Sequence, residues 1–510
     1  MCPNLTACGR SRIPTAPSGR GSVESRLSEP RPKEADFLPQ AANATRKWTR
    51  RECLWNTGGG LAGIALAQLL ARDRLLAAPP RGPHHAAKAK RVILIFLPGG
   101  ISQIDTFDYK PELEKQHGKE TKGPNTITPF FGKRGTVMQS PWKFRRYGQT
   151  GKWVSDLVPN LGSCVDDLTF VHSMVARSNS HMPAMLQMST GFILQGFPAA
   201  GAWISYGLGS ENENLPSFVV LPDPRGIPPG GVAQWGNGFL PSSYHGVIFE
   251  GRKNPIADIA PPPGVSEASQ SAVYDLLSQI NQAHLREHHG EEQLAGRIKA
   301  YELAAKMQVS APEVTGIEGE SAATLEMYGL NDPVTRDYGY NCLLARRLVE
   351  KGVRCVQLYN GGHFGKPRIN WDAHEDLVGN HSKLAACMDR PTAALLRDLK
   401  QRGLLDETLV VWTTEFGRLP ISQGLGEGGR DHNPEGFTSF LAGAGVKRGF
   451  SYGSTDELGC RADNPVTVYD LHATILHLLG IDHTRLTFYH NGLQRRLTDV
   501  HGHVLNDLLA

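Results

Sequence analysis

After residue 90 the chain alternates between short, continuous apolar runs and longer stretches with apolar residues at three-to-four spacing. The runs are "RVILIFLPGG" (91–100), "DDLTFVHSM" (166–174), "SFVVLP" (217–222), "RCVQLYNGG" (354–362) and "TLVVWTTEFG" (408–417). An apolar run without polar alternation suits a strand covered on both faces, as in a parallel sheet. Between the runs, "YNCLLARRLVEKG" (340–352), "HSKLAACMDRPTAALLRDLKQRG" (381–403) and "TVYDLHATILHLLG" (467–480) repeat with helical period, each closing on a glycine. Strands and helices in alternation predict an α/β fold, a doubly wound, mostly parallel sheet flanked by helices. Residues 195–330 depart from this rhythm: a Pro/Gly-rich stretch is followed by a polar helical pair within 268–307, and the whole reads as a loop and helix insertion.

Charge changes the picture at the N-terminus. The formal balance of +4 conceals 15 Lys/Arg against 6 Asp/Glu through Lys90, and 39 against 44 thereafter. The part expected to fold is mildly acidic, which argues against a nucleic-acid partner. Residues 45–80 place Arg50-Arg51 before an apolar, Gly/Ala-rich run from Gly58 to Leu70, then Ala77-Ala78 and a proline pair. This is the order of an export signal, and the arginine pair predicts the twin-arginine translocation machinery and a periplasmic or cell-envelope destination. The run is shorter than the ~20 residues a bilayer span needs, so no stable membrane span is expected. Residues 1–44, rich in Pro, Ser and Arg, read as a disordered extension, and 88–510 as the folded domain. Of eight cysteines, five follow the signal; none makes a C-x-x-C pair, so neither a zinc finger nor a disulfide framework is legible.

In open α/β sheets ligands bind beyond the carboxyl ends of the strands. The polar residues that follow the apolar runs are Asp105 after the first, Ser178, Ser180 and His181 after the second, Asp372 and His374 after the fourth, and Glu415, Arg418, Arg430 and His432 after the fifth. Carboxylates and imidazoles brought from separate segments to one sheet edge predict a divalent metal or anion site.

The motifs "LPGGISQIDTFDYKP", "HMPAMLQMSTG", "NWDAHED", "TTEFGR" and "GRDHNP", with the signal, resemble the domain-of-unknown-function 1501 family, exported proteins of the alkaline-phosphatase-like superfamily that includes sulfatases. "DETLVVWTTEFG" is similar to the sulfatase strand "DNTLVIFTSDHG", and "VTVYDLHATILHLLGID" to the helix after the last metal-site loop. The resemblance covers 45–510 and implies a metal-dependent hydrolase acting on sulfate or phosphate esters of an anionic small molecule or glycan. It implies a metal held by Asp372, His374, Glu415 and His432, with Asp105 as a displaced counterpart of the usual first-strand aspartate. Zinc, calcium, manganese and magnesium all remain open. His181 falls at the nucleophile position, with Ser180 beside it, and Arg418 and Arg430 are expected to clamp substrate oxygens. Phe416 stands where sulfatases carry a histidine. The alternative is a catalytically degenerate protein of the cell envelope that binds a metal or an anionic glycan without turnover.

Overall fold

The computed structural model describes residues 82–510 except 123–126, 131, 252–254, 257–258, 260–263, 289–291, 366 and 425–427. The expected N-terminal extension and export signal lie outside the described residues.

All five apolar runs form strands of one nine-stranded sheet. In chain order, the strands that build the sheet and frame the site are β1 (Arg91–Phe96), β2 (Arg134–Val137), β3 (Leu168–Val175), β4 (Phe218–Leu221), β5 (Val247–Ile248), β6 (Cys355–Tyr359), β7 (Thr408–Thr413), β8 (Gly417–Gln423), β9 (Arg430–Asn433), β10 (Phe437–Ala442), β11 (Phe450–Tyr452) and β12 (Val466–Thr467). The large sheet runs β11-β3-β10-β7-β1-β6-β4-β5, with β12 also beside β3. Every pairing in it is parallel except the two made by β10, which runs against both β3 and β7. β10 has no counterpart among the predicted strands, because Thr438 and Ser439 break the apolar run of "FTSFLA" that is nonetheless fully buried.

Burial on both faces explains the absence of polar alternation. Ile93 and Ile95 of β1 join a core that includes Leu343, Leu348, Leu395 and Leu399 of the helices Arg336–Glu350 and Leu377–Gln401. Val92 and Phe96, pointing the other way, join a core with Trp203, Leu471 and Ile475 of Ala200–Leu208 and Val468–Leu478. Successive side chains leave a strand on opposite faces, so a two-sided core demands apolar residues at every position. The last of these helices begins with a capping box: Thr467 accepts from Asp470 N, and the Asp470 carboxylate accepts from Thr467 N. The stretch 195–330, expected as an insertion, supplies β4 and β5 to the sheet, and its helical pair is Glu267–Glu287 and Glu292–Thr315.

The register positions the site. Phe96 pairs with Tyr359 on one side and with Thr413 on the other, so β1, β6 and β7 end in line. β3 and β7 both run against β10, so β3 delivers its carboxyl end to the same edge. Beyond β7 the chain turns into the antiparallel hairpin β8–β9, with β2 along its outer side. Among the described residues no helix is long and apolar enough to cross a membrane. Cys164, Cys342, Cys355, Cys387 and Cys460 are all free and buried, as small apolar residues.

Candidate metal centre

Four side chains from three of these strand-end segments meet at the sheet edge. His181 opens helix α1 (His181–Thr190), Asp372 and His374 lie in the loop after β6, and His432 sits on β9 opposite Arg418. One donor atom from each lies within 4.8 Å of all the others. The Nε2 atoms of His374, His181 and His432 stand 2.8, 3.3 and 3.5 Å from Oδ1 of Asp372.

Two close approaches of backbone allow this. A Cβ on Gly99, which has φ +112°, would lie 2.5 Å from the backbone nitrogens of Trp371 and Asp372. Only a glycine after β1 lets the loop carrying Asp372 lie this near. A Cβ on Gly429 would lie 2.0 Å from the backbone carbonyl of His374, so a glycine before β9 is what lets the hairpin run against that loop, tied by Arg430 N donating to Ala373 O at 3.0 Å.

The three imidazoles are oriented from behind. His181 Nδ1 meets the Glu415 carboxylate at 2.6 Å, His432 Nδ1 meets the backbone carbonyl of Asn179 at 2.6 Å, and His374 Nδ1 meets Oε1 of Gln423. A carboxylate and a carbonyl only accept, so the proton resides on Nδ1 and the lone pair on Nε2. Three Nε2 lone pairs therefore face one carboxylate oxygen. His374 and His432 bring two of them within 2.9 Å of each other, a repulsion that a shared cation relieves. His181 Nε2 is buried and finds no hydrogen-bond partner with acceptable geometry. An N₃O set with an outer oxygen behind each histidine fits a divalent metal.

The electrostatics divide the cluster: burial lowers the His181 imidazole but the Asp372 and Glu415 carboxylates outweigh it and raise it, whereas His432 falls. Burial alone would raise the Asp372 carboxyl, but the three imidazoles around it and the Arg418 charge hold it well below the usual carboxylate range. Burial pushes the His432 imidazole down to about 3, with Asp372 opposing and Arg418 adding to the fall. A neutral imidazole is the form that ligates.

The remaining residues expected at the site take other places. Glu415 is fully buried and accepts from Gly99 N at 2.8 Å and from Thr414 Oγ1 at 3.1 Å, besides holding His181. It stands behind His181 rather than in the cluster: Gly99 N and His181 Nδ1 share Oε1, and Thr414 takes Oε2. Asp105 is also displaced: it accepts from Ser102 Oγ at 2.5 Å and from Arg430 Nε at 2.8 Å, in a pair with no solvent exposure. Arg418 and Arg430 are no substrate clamps. Both are fully buried, Arg418 donating to Gly100 O, Arg430 O and Asp372 Oδ1, and Arg430 to Asp105, Leu419 O and Met138 O. They satisfy carbonyls that the strand-end loops leave buried, a need that strand patterning does not reveal. Ser180 is the exposed N-cap of α1, making no side-chain bond to the helix.

Three contributors escape sequence reasoning. Gln423 and the Asn179 carbonyl orient histidines, and Arg368 grips Asp372 through Nη1 at 2.7 Å from both Oδ2 and the backbone oxygen. Phe416 is fully buried, its ring 4.8 Å from His181 and 4.5 Å from His432, and walls the cluster.

No curated protein matches the chain in sequence. Among solved structures it is similar to the PsFucS1 sulfatase from Pseudoalteromonas sp., at 13% identity over 86% of this chain and 77% of that one, with TM-score 0.31. It is similar to a protein in the alkaline phosphatase superfamily from Vibrio parahaemolyticus, at 10% identity over 79% and 70%, TM-score 0.34. The phosphonate monoester hydrolase from Silicibacter pomeroyi matches at 12% identity over 63% and 68%, TM-score 0.29. The profile of the family described as "Protein of unknown function (DUF1501)" matches residues 89–509, and the chain belongs to that family.

Proposed function

We propose that this chain is a metal-dependent hydrolase of sulfate or phosphate esters, acting on an anionic small molecule or glycan outside the cytoplasm. The observation that carries the reading is the convergence of three Nε2 atoms, each oriented from behind, on one oxygen of Asp372. A divalent cation bound there would polarise an ester oxygen and offset the charge developing on it. Three nitrogens and one oxygen favour zinc, then manganese, over calcium or magnesium, which prefer oxygen shells. Arg418 and Arg368 hold Asp372 ionised and fixed in orientation, and Glu415 does the same for the His181 ring. The first turn of α1 offers backbone N–H groups beside the cluster, which favour an anionic substrate. Ser180, exposed at that turn, is the nucleophile of this reading.

Phe416 supports a second reading, a binding protein without turnover, since it follows Glu415 where the resemblance to sulfatases implies a histidine, and its ring packs against His181 and His432. Metal analysis of natively folded protein with a panel of sulfate and phosphate esters separates the two. Hydrolysis that needs metal, and that His432→Ala and Ser180→Ala abolish, supports the hydrolase. Metal retention with no turnover supports the binding protein, and folded protein that takes up no metal refutes both. Export rests on the 45–80 segment; R50K/R51K protein that still reaches the periplasm in fractionation would overturn the twin-arginine route.

A further inference from the structure

Behind the loop that carries Ser180 lies a cavity of about 620 Å³. Arg177, Arg496, His483, His501 and His503 line it, and among the described lining residues Asp470 is the only carboxylate. That carboxylate is already engaged: Oδ2 accepts from Thr467 N at 2.8 Å and Thr467 Oγ1 at 2.6 Å, and Oδ1 from His503 N at 2.7 Å. The arginines keep donors to spare. Arg177 is exposed and places Nη1 on Tyr469 OH at 3.1 Å, while Arg496 binds the Asp499 carbonyl through Nε alone. His483 is nine-tenths buried, with 9% exposure; its Nδ1 meets Thr498 Oγ1 at 2.8 Å and its Nε2 finds no partner among the described residues. His501 lies against the Tyr469 ring at 4.8 Å, leaving one wall of the cavity aromatic.

The cavity and the metal centre share a wall. Arg177 N donates to Gln187 Oε1 of α1 at 2.9 Å, and Gln187 itself lines the cavity. Two residues on, the Asn179 carbonyl holds His432. Two residues of chain span at most about 7 Å. Two guanidinium groups with free donors and an imidazole nitrogen without a partner, set against one carboxylate whose oxygens are already hydrogen-bonded, make a site for a tetrahedral oxyanion, which guanidinium groups bind in fork geometry.

We propose that this cavity is an oxyanion subsite, receiving a second sulfate or phosphate group of a polyanionic substrate whose scissile ester sits at the His/Asp cluster. The proposal rests on the hydrolase reading for the substrate's first group, and on the cavity alone for the second. It assigns the substrate to ring-bearing polyanions rather than simple monoesters, and it makes Arg177 and Arg496 specificity-determining residues.

Calorimetric titration of the wild-type protein with sucrose octasulfate and with inositol hexakisphosphate, beside inorganic sulfate, tests it. R177E/R496Q is expected to weaken at least one polyanion by about tenfold or more, the loss of one or more charge-assisted bonds, while metal content and Tm stay at wild-type values. The probe that loses affinity identifies the group as sulfate or phosphate. If the double variant unfolds, R177E alone, at an exposed position, gives the same reading. Affinities within twofold of wild type for both polyanions overturn the proposal. H374A/H432A keeps the two readings apart: polyanion binding that survives loss of the cluster and still depends on Arg177 supports the subsite whatever becomes of the hydrolase reading.

Discussion

Replacing Glu415 by Gln tests the centre through a residue that touches no metal in this arrangement. The substitution preserves shape and one acceptor oxygen, and removes the charge that faces His181 Nδ1 at 2.6 Å in a fully buried position. A charge-assisted bond is roughly twice as strong as a neutral one, and low local dielectric amplifies the difference. An amide oxygen in the Oε1 position keeps the acceptor that Gly99 N and His181 Nδ1 share, and the amide nitrogen can donate to Thr414 Oγ1, so what the change removes is the charge facing the histidine. Loss of an outer partner of a ligating histidine typically weakens metal binding about 10- to 100-fold, or roughly 1.4–2.8 kcal/mol. The assay is competition for zinc against a chromophoric chelator, with Tm of the chelated protein as the folding control. H181A provides the scale, because it removes a ligand outright and should weaken binding more than E415Q does. Zinc affinity of E415Q within twofold of wild type would refute the outer-partner argument. E415Q weaker than H181A would make Glu415 a ligand itself.

Other consequences are separately measurable. H374A and H432A should each leave less than one equivalent of zinc on the purified protein by mass spectrometry, since each takes one of four donors. R430A strands the fully buried Asp105 carboxylate and should cost about 3–5 kcal/mol in urea unfolding; D105N/R430A removes the stranded charge and should recover part of that, and a double variant no better than R430A would refute the assignment. His472, fully buried with Nε2 on Met188 O at 2.9 Å, has its imidazole pushed down to about 4 by burial. Its folded pKa lies below the unfolded value near 6.5, so the unfolded chain binds the extra proton and stability falls as pH drops from about 6.5 to 4, by up to about 3 kcal/mol. Unfolding of chelated protein should lose that part of its pH slope in His472→Gln, and an unchanged slope would count against it.

The sheet is legible in the sequence because strands buried on both faces leave a continuous apolar trace; β10 is not, since Thr438 and Ser439 interrupt it while staying buried. At the site, Asp372, His374, His432 and His181 stand out because a strand end followed by a ligating side chain is visible in one dimension. Their outer partners divide by physics. The Asn179 carbonyl belongs to the backbone, which every residue has, and Gln423 looks like any polar residue on a hairpin. Glu415 is visible but reads as a ligand, because its role depends on where a helix 234 residues away sets His181. Arg418 and Arg430 read as surface clamps, because a sequence does not show which loop carbonyls will be shut away from water.

The four donors occupy positions 181, 372, 374 and 432, and the outer oxygens come from 179, 415 and 423. A nascent chain emerging from its N-terminus holds at most three donors until β9 appears, and the last donor arrives already paired with an acceptor made much earlier. Capture of an ion at this edge would thus register that synthesis has passed residue 432 and that β3, β6 and β9 have come together.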